Sequence, residues 1–370
     1  MSPAEERGAR RRLLAWLDQR VNLTELFSLL SHFGVLYAPM DTSRPLAEAM
    51  RDLGSRPLPD VMRWPRVLGP LAALLFGLEA VTGVLLAYYY RPVPEAAFES
   101  TRTIVRDLPF GWLLHQMHAW GAWLLVVVVV LRLLRLFWHG LYRAPRELLW
   151  FAAVAMVWLV LQADFTGRLL TWDSHAYWAA VRGMEVVFAL PLAGPVLAFL
   201  LGGRVINEVV LIRFYVLHLV VLPILLLATL YLAAATLRRT GPAPSETDRT
   251  TTLRDHLFSM TTWGLLLFGG LVTLAALFPF HFGQAADPYR TPAGTRPPWY
   301  MLAPYALLQG APGPAWLWGT LLLLGAFAVL LIPLWLRVGE AARGRLRAWG
   351  ALALAAWLAL SLAGLRLDPS

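Results

Sequence analysis

Not one of the 370 residues is cysteine. That absence removes disulfides, iron–sulfur ligation, thiolate zinc centres and covalent c-type haem attachment from this chain. Charge is scarce as well, at 15% of residues against 58% hydrophobic, with 17 tryptophans. The balance excludes a water-soluble domain. Lysine is missing too, so all 32 basic side chains are arginines. They form no single stripe and gather at the ends of apolar runs. This excludes a nucleic-acid partner and makes the net charge of +9 a matter of topology and contact with membrane lipid headgroups. The first 20 residues are charged and no apolar core with a small-residue cleavage site follows, so no secretory leader is expected.

What the chain has is long apolar runs. A bilayer core of roughly 30 Å takes about 20 helical residues. Runs of that kind stand at 66–90, 113–137, 148–166, 210–236, 257–278, 315–336 and 346–365. The fold class predicted is therefore an all-α integral membrane protein with about seven transmembrane helices. Arginines crowd the N-terminal arm (Arg7, Arg10, Arg11, Arg12, Arg20), the stretch from Arg143 to Arg146, the stretch from Arg238 to Arg254, and Arg343 to Arg347. By the positive-inside rule the N-terminus is cytoplasmic, and seven spans put the C-terminus outside.

Residues 1–65 read as a cytoplasmic arm, with an amphipathic surface helix over 11–30 and a Pro-rich connector over 39–65. Residues 66–240 form a four-helix unit, 241–256 a polar linker, and 257–370 a three-helix unit. Long segments at 167–208 and 279–314 lie between spans on the outer side, where function or partner contact is expected. No internal repeat stands out.

Within the spans the candidate ligands are few: His118 opens the second helix and His218 the fourth. Those helices run parallel, from outside to inside, so the two imidazoles share a depth near the outer face. Gly83, Gly121 and Gly167 sit where a flat macrocycle needs close backbone approach. Each histidine taken alone reads equally as a core residue bonded to a carbonyl. As a matched pair in a four-helix bundle they favour the two axial ligands of one haem.

The stretches "TGVLLAYYYRP" (82–92), "GWLLHQMHAWGA" (111–122), "YRAPRELLW" (142–150), "FTGRLLTWDSHAYWA" (165–179), "LPLAGPVLAFLLGG" (190–203), "RFYVLHLVVLP" (213–223) and "GQAADPYRTPAGTRPPWYMLAPYALL" (283–308) come in this order. In order and spacing they resemble cytochrome b of the quinol–cytochrome c and plastoquinol–plastocyanin oxidoreductase complexes, over about residues 57–366. The resemblance implies a haem-binding four-helix bundle plus a three-helix C-terminal unit in one chain. It implies a bacterial-type energy-conserving plasma membrane and a role as electron-transport subunit of a quinol:acceptor oxidoreductase. The cofactor set it implies is a b haem on His118 and His218, with His115, Gly83, Gly121, Gly167 and Arg213 around it. The partners it implies are a Rieske-type iron–sulfur protein, a c-type cytochrome, or both.

Several positions depart from the family pattern. The family places a second pair of histidines about four turns further along for an inner haem. A step of fourteen residues advances a helix by roughly 21 Å and returns to within about 40° of the same face. From His118 that step reaches Arg132, and on the fourth helix the family's second ligand falls at Ala233. Neither side chain is a haem ligand. The family's glycine on the third helix is Ala153, while Gly69 on the first is kept. Arg132 either occupies vacated haem space, which quinone or lipid also fits, or snorkels to the cytoplasmic headgroups. An arginine that meets a haem propionate in the family is His115 here. The quinol-oxidation motif Pro-Glu-Trp-Tyr reads Pro297-Pro298-Trp299-Tyr300, without its carboxylate. Asp164 and Asp287 are the candidate substitute proton acceptors. Arg254-Asp255-His256 reads either as part of an inner quinone pocket or as a helix start.

Three readings follow. One is a subunit with a single outer haem and no inner haem, catalytically incomplete alone and paired with a complete cytochrome b. Another is a catalytic quinol oxidoreductase with a relocated base. The third is a haem-free structural or assembly subunit.

Overall fold

The computed structural model describes Thr24, Ser28 and residues 41–55, 57–201, 203–241, 250–281, 283–335 and 340–367. The surface helix expected over 11–30 lies outside the described residues except for Thr24 and Ser28. In chain order come α1 (Leu46–Ser55), β1 (Leu58–Pro59), α2 (Leu68–Tyr89), α3 (Pro94–Arg106), α4 (Gly111–Trp138), α5 (Glu147–Leu170), α6 (Ser174–Phe188) and α7 (Ala193–Leu201). Then follow α8 (Glu208–Thr240), β2 (Thr250–Thr251), α9 (Leu253–Leu277), α10 (Leu302–Gly310), α11 (Ala315–Leu330), α12 (Ile332–Trp335) and α13 (Glu340–Gly364).

Six of these are long and apolar enough to cross a membrane, namely α2, α4, α5, α8, α9 and the Gly344–Gly364 part of α13. The seventh expected span, 315–336, is broken. The helix Ala315–Leu330 stops before Pro333, which has no N–H to donate to the carbonyl of Val329 and whose ring crowds it. The freed Val329 carbonyl accepts Trp150 Nε1 at 3.0 Å, which ties α11 to α5.

Local chemistry sets the helix starts. Phe110 adopts a left-handed conformation (φ 59°) ahead of Gly111, where a Cβ would overlap the Ile104 carbonyl oxygen. Only glycine fits that turn, and the turn fixes where α4 begins and hence the depth of His115 and His118. Asn207 caps α8 by accepting Val210 N–H at 3.1 Å. At the start of α9, Thr252 Oγ1 accepts Asp255 N–H at 3.1 Å and Asp255 Oδ2 takes the Thr252 hydroxyl at 2.9 Å. The Arg254–His256 stretch is thus a helix start.

Helices α2, α4, α5 and α8 form the bundle, with α9 on α4, α11 on α5 and α10 on α13. One apolar level joins Leu75, Leu125, Val126, Val129, Met156, Val160, Leu226 and Leu271. A second joins Leu136, Tyr142, Trp150, Ala153 and Ala233, with Leu133 and Phe137 against it. A third packs Phe165, Leu169, Trp172, Tyr177, Leu211 and Phe214 beneath α6. Between spans the solvent is lipid, so packing and polar links rather than dehydration hold helices together. Gln116 supplies two such links to the chain after α9: its Nε2 donates to Phe280 O at 2.9 Å, and its Oε1 accepts Phe280 N–H at 2.8 Å. Gln116→Leu leaves both Phe280 groups without these partners and is expected to cost about 1–3 kcal/mol, read as a lower unfolding midpoint in detergent. An unchanged midpoint would show that the clamp carries no stability.

Candidate functional site

Helices α4 and α8 bring the rings of His118 and His218 to a centroid separation of 6.1 Å, with their planes at 82°. His218 lies in a single π-helical turn, Leu217–Val221, inside α8. Pro223 follows it, and its missing N–H leaves the carbonyl of Leu219 without an α-helical donor. The Leu222 N–H reaches back to Leu217 O instead, widening the turn that holds the imidazole.

The hydrogen-bond partners assign the tautomers. His218 Nδ1 stands 3.0 Å from Ala163 O, which only accepts, so Nδ1 carries the proton. His118 Nδ1 stands 3.0 Å from Glu79 Oε2 and 2.9 Å from Thr82 Oγ1. The Thr82 hydroxyl donates to Leu78 O at 2.8 Å, so toward His118 it accepts. Thr166 has the same arrangement, donating to Gln162 O at 2.7 Å and standing 3.4 Å from His218 Nδ1. In both rings Nδ1–H is oriented by the protein, and the neutral form of each then presents Nε2 as a lone pair. This is the arrangement of metal-ligating histidines.

The same pattern occurs twice, as "EAVTG" (79–83) on α2 and "ADFTG" (163–167) on α5. In each, a threonine and an acceptor one turn earlier flank an imidazole, and the following glycine faces its ring. A Cβ at Gly83 would stand 3.2 Å from His118 Cε1, and one at Gly167 would stand 2.5 Å from His218 Cε1. Gly121 lies on the facing helix. It faces the Glu79 carboxylate, and a Cβ there would overlap Glu79 Oε1. Glu79, Thr82, Ala163 and Thr166 stand against the two imidazoles, and sequence reading did not place them there. The repeated Thr-Gly pair was the signal.

The other expected site residues fall into place unevenly. His115 Nδ1 is buried, with no hydrogen-bond partner among the described residues. Arg213 Nη1 donates to Phe199 O at 3.3 Å and also to Leu200 O, so its guanidinium caps the C-terminal carbonyls of α7. Arg132 is 7% exposed, inside the bundle, with Nη1 3.9 Å from Met156 Sδ. That overturns the snorkelling alternative.

Of the two aspartates, the structure joins one to the Pro-Pro-Trp-Tyr stretch. Tyr300 OH donates to Asp164 Oδ2 at 2.9 Å. Arg168 holds the same carboxylate through Nε (2.7 Å) and Nη2 (3.0 Å). Burial first, and then the Asp164 charge, hold the Tyr300 phenol well above its ordinary pKa, with Arg168 opposing. Tyr300 is therefore a neutral donor. Arg168 lies over the Trp123 ring at 5.2 Å, and Trp123 packs against Trp299 at 5.9 Å and Phe280 at 5.7 Å. Pro297 is buried, and the Pro298 carbonyl accepts Met301 N–H at 2.8 Å to start the turn carrying Trp299 and Tyr300. Asp287 is exposed in a surface turn, its Oδ1 accepting Tyr289 N–H at 2.9 Å and its backbone oxygen accepting Trp178 Nε1 at 3.0 Å.

Comparison with known proteins gives the context. The family described as Cytochrome b/b6/petB matches residues 53–241, and the family described as Cytochrome b(C-terminal)/b6/petD matches 285–367. Cytochrome b of Rickettsia prowazekii (strain Madrid E) is 30% identical over 351 residues, which is 90% of this chain and 81% of that one. Cytochrome b6 of Heliobacterium modesticaldum (strain ATCC 51547 / Ice1) is 39% identical over 175 residues, 47% of this chain and 82% of that protein. A solved structure described as a hyperthermophilic respiratory Complex III has a TM-score of 0.77 at 22% identity, over 96% of this chain and 92% of its own. At that identity the likeness is one of fold. With both helical units matched and nine-tenths of its length aligned to a cytochrome b, the chain belongs to the cytochrome b family.

Proposed function

We propose that this chain is an electron-transport subunit of a bc-type membrane complex that holds one b haem between His118 and His218 at the outer side of the membrane. The observation that carries the reading is the imidazole pair. Two imidazoles that held one metal between them, at metal–nitrogen bonds of about 2.0 Å, would have centroids about 6 Å apart. The rings here are 6.1 Å apart. Among the described residues no group of three or more His, Asp or Glu gathers as a metal site. Two imidazoles alone leave a metal unsaturated, and a macrocycle supplies the remaining ligands. Gly83 and Gly167 keep a side chain off the Cε1 edge of each ring. A bound haem supplies one-electron transfer. The chain's own part is to present two imidazoles and to orient them through Nδ1.

What supports a missing second haem is that Arg132 and Ala233 stand where the family pattern has its inner histidines. Ala233 and Ala153 are both buried in one apolar level with Leu136 and Trp150. Buried Arg132 stands between that level and the one holding Val129 and Met156. On this reading the chain lacks the inner haem and carries part of an electron path. Completing it falls to a complete cytochrome b, with a Rieske-type iron–sulfur protein or c-type cytochrome as electron acceptor. A bacterial plasma membrane with the N-terminus cytoplasmic fits the arginine distribution.

The Tyr300–Asp164 bond of 2.9 Å favours a second reading, catalytic quinol oxidation with Asp164 as relocated proton acceptor. Against it, Arg168 grips both Asp164 oxygens and takes up acceptor positions that a quinol hydroxyl would need.

The reading is tested on the purified complex by low-temperature optical and ferric paramagnetic resonance spectra. A low-spin bis-imidazole b haem in this chain is the expected result. A chain isolated intact without haem would contradict it and leave the scaffold role.

A further inference from the structure

Each imidazole gives its Nδ1–H to an acceptor one turn before a Thr-Gly pair, but the two acceptors differ. On α5 it is the backbone carbonyl of Ala163, at 3.0 Å from His218. On α2 it is a side-chain carboxylate, Glu79 Oε2, at 3.0 Å from His118. The Glu79 side chain is 11% exposed. Its other oxygen, Oε1, is buried with no hydrogen-bond partner among the described residues. Gly121 on the facing helix provides its space, since a Cβ there would overlap that oxygen. A carboxylate held inside a membrane span with one oxygen on an imidazole and the other unpartnered is a costly arrangement. Apolar packing does not call for a carboxylate there, since Ala163 provides the equivalent acceptor from the backbone alone.

We propose that Glu79 is a positioning residue for His118 that draws the Nδ1 proton toward its carboxylate, making His118 the more basic of the two ligands and lowering the reduction potential of the group they hold. The inference rests on the haem reading above. A carboxylate on the outer nitrogen of a ligating histidine fixes its orientation and raises the electron density at the metal-bound nitrogen. The oxidised, more positive metal gains more from that density than the reduced one does. His218, whose acceptor is a neutral carbonyl, lacks this contribution.

The test is a spectroelectrochemical titration of the intact complex carrying Glu79→Gln. The amide oxygen still accepts from Nδ1, so the bond remains and only the charge is removed. The haem should be retained with its low-spin spectrum, and its one-electron reduction equilibrium should shift about tenfold toward the reduced form, about 59 mV. Glu79→Leu, which also removes the acceptor, should shift it further or weaken haem retention. An unchanged potential in Glu79→Gln would overturn the proposal. So would loss of haem from Glu79→Gln, since Glu79 would then serve the packing of α2 on α4. Absence of haem from the unsubstituted chain would instead defeat the functional reading, so the two failures are distinct.

Discussion

Replacing His218 by alanine should abolish the low-spin b-haem spectrum of the chain while leaving the helices in place. The imidazole occupies a π-helical turn of its own and reaches Ala163 O through Nδ1. The rest of α8 is anchored independently by buried Val210, Leu211, Phe214, Leu222 and Leu226. With His218 gone, His118 alone would hold the group, which would then be high-spin or lost. The matching substitution His118→Ala should act the same way. A low-spin spectrum retained in either variant would show that the ligands lie elsewhere. Gly167→Ala is a graded version of the test, because its Cβ would come 2.5 Å from His218 Cε1 and must move the ring.

The Asp164→Asn variant has the second largest expected effect, and it is one of stability. Asp164 accepts two bonds from Arg168 and one from Tyr300, and its side chain is 4% exposed. Asparagine keeps the shape but leaves the Arg168 guanidinium, 29% exposed, without its counter-charge. Breaking a buried pair on one side costs about 3–5 kcal/mol, and partial exposure of Arg168 puts this case near the lower end. The expected readout is a clear fall in the unfolding midpoint in detergent. Tyr300→Phe removes one hydrogen bond and leaves the ion pair, so it should cost only about 1 kcal/mol. The same two variants separate the functional readings. With a single haem and Arg168 on Asp164, the isolated subunit should support no inhibitor-sensitive quinol oxidation. Robust turnover that disappears in both Asp164→Asn and Tyr300→Phe would move the base to Asp164 and promote the catalytic reading.

The positions of the spans were legible in the sequence because apolar length is a local property. The break at Leu331 was also written there, in Pro333, but the run of leucines around it masked the missing N–H. The pairing of His118 with His218 could be anticipated from matched depth on parallel helices. What could not be anticipated were the groups that orient them. Glu79 is 39 residues from His118, and Ala163 contributes a backbone oxygen that leaves no compositional trace. Tyr300 and Asp164 lie 136 residues apart, and Gln116 and Phe280 lie 164 apart. No periodicity encodes such contacts. Arg213 donates to the end of a neighbouring helix, a contact 14 residues away along the chain that no local pattern announces. Arg132 was ambiguous for a physical reason: a long side chain two turns from a helix end reaches headgroups or core equally well, and only the packing of α5 against it decides.

The central claim is that this member of the family carries one haem where the family pattern has two. The most direct measurement is the ratio of haem to this polypeptide, taken by pyridine haemochrome assay on the purified complex with each chain quantified separately. One b haem per copy of this chain is the predicted result, lost in His118→Ala and in His218→Ala. Two haems per copy, with the second surviving both substitutions, would contradict it and place a cofactor between Arg132 and Ala233.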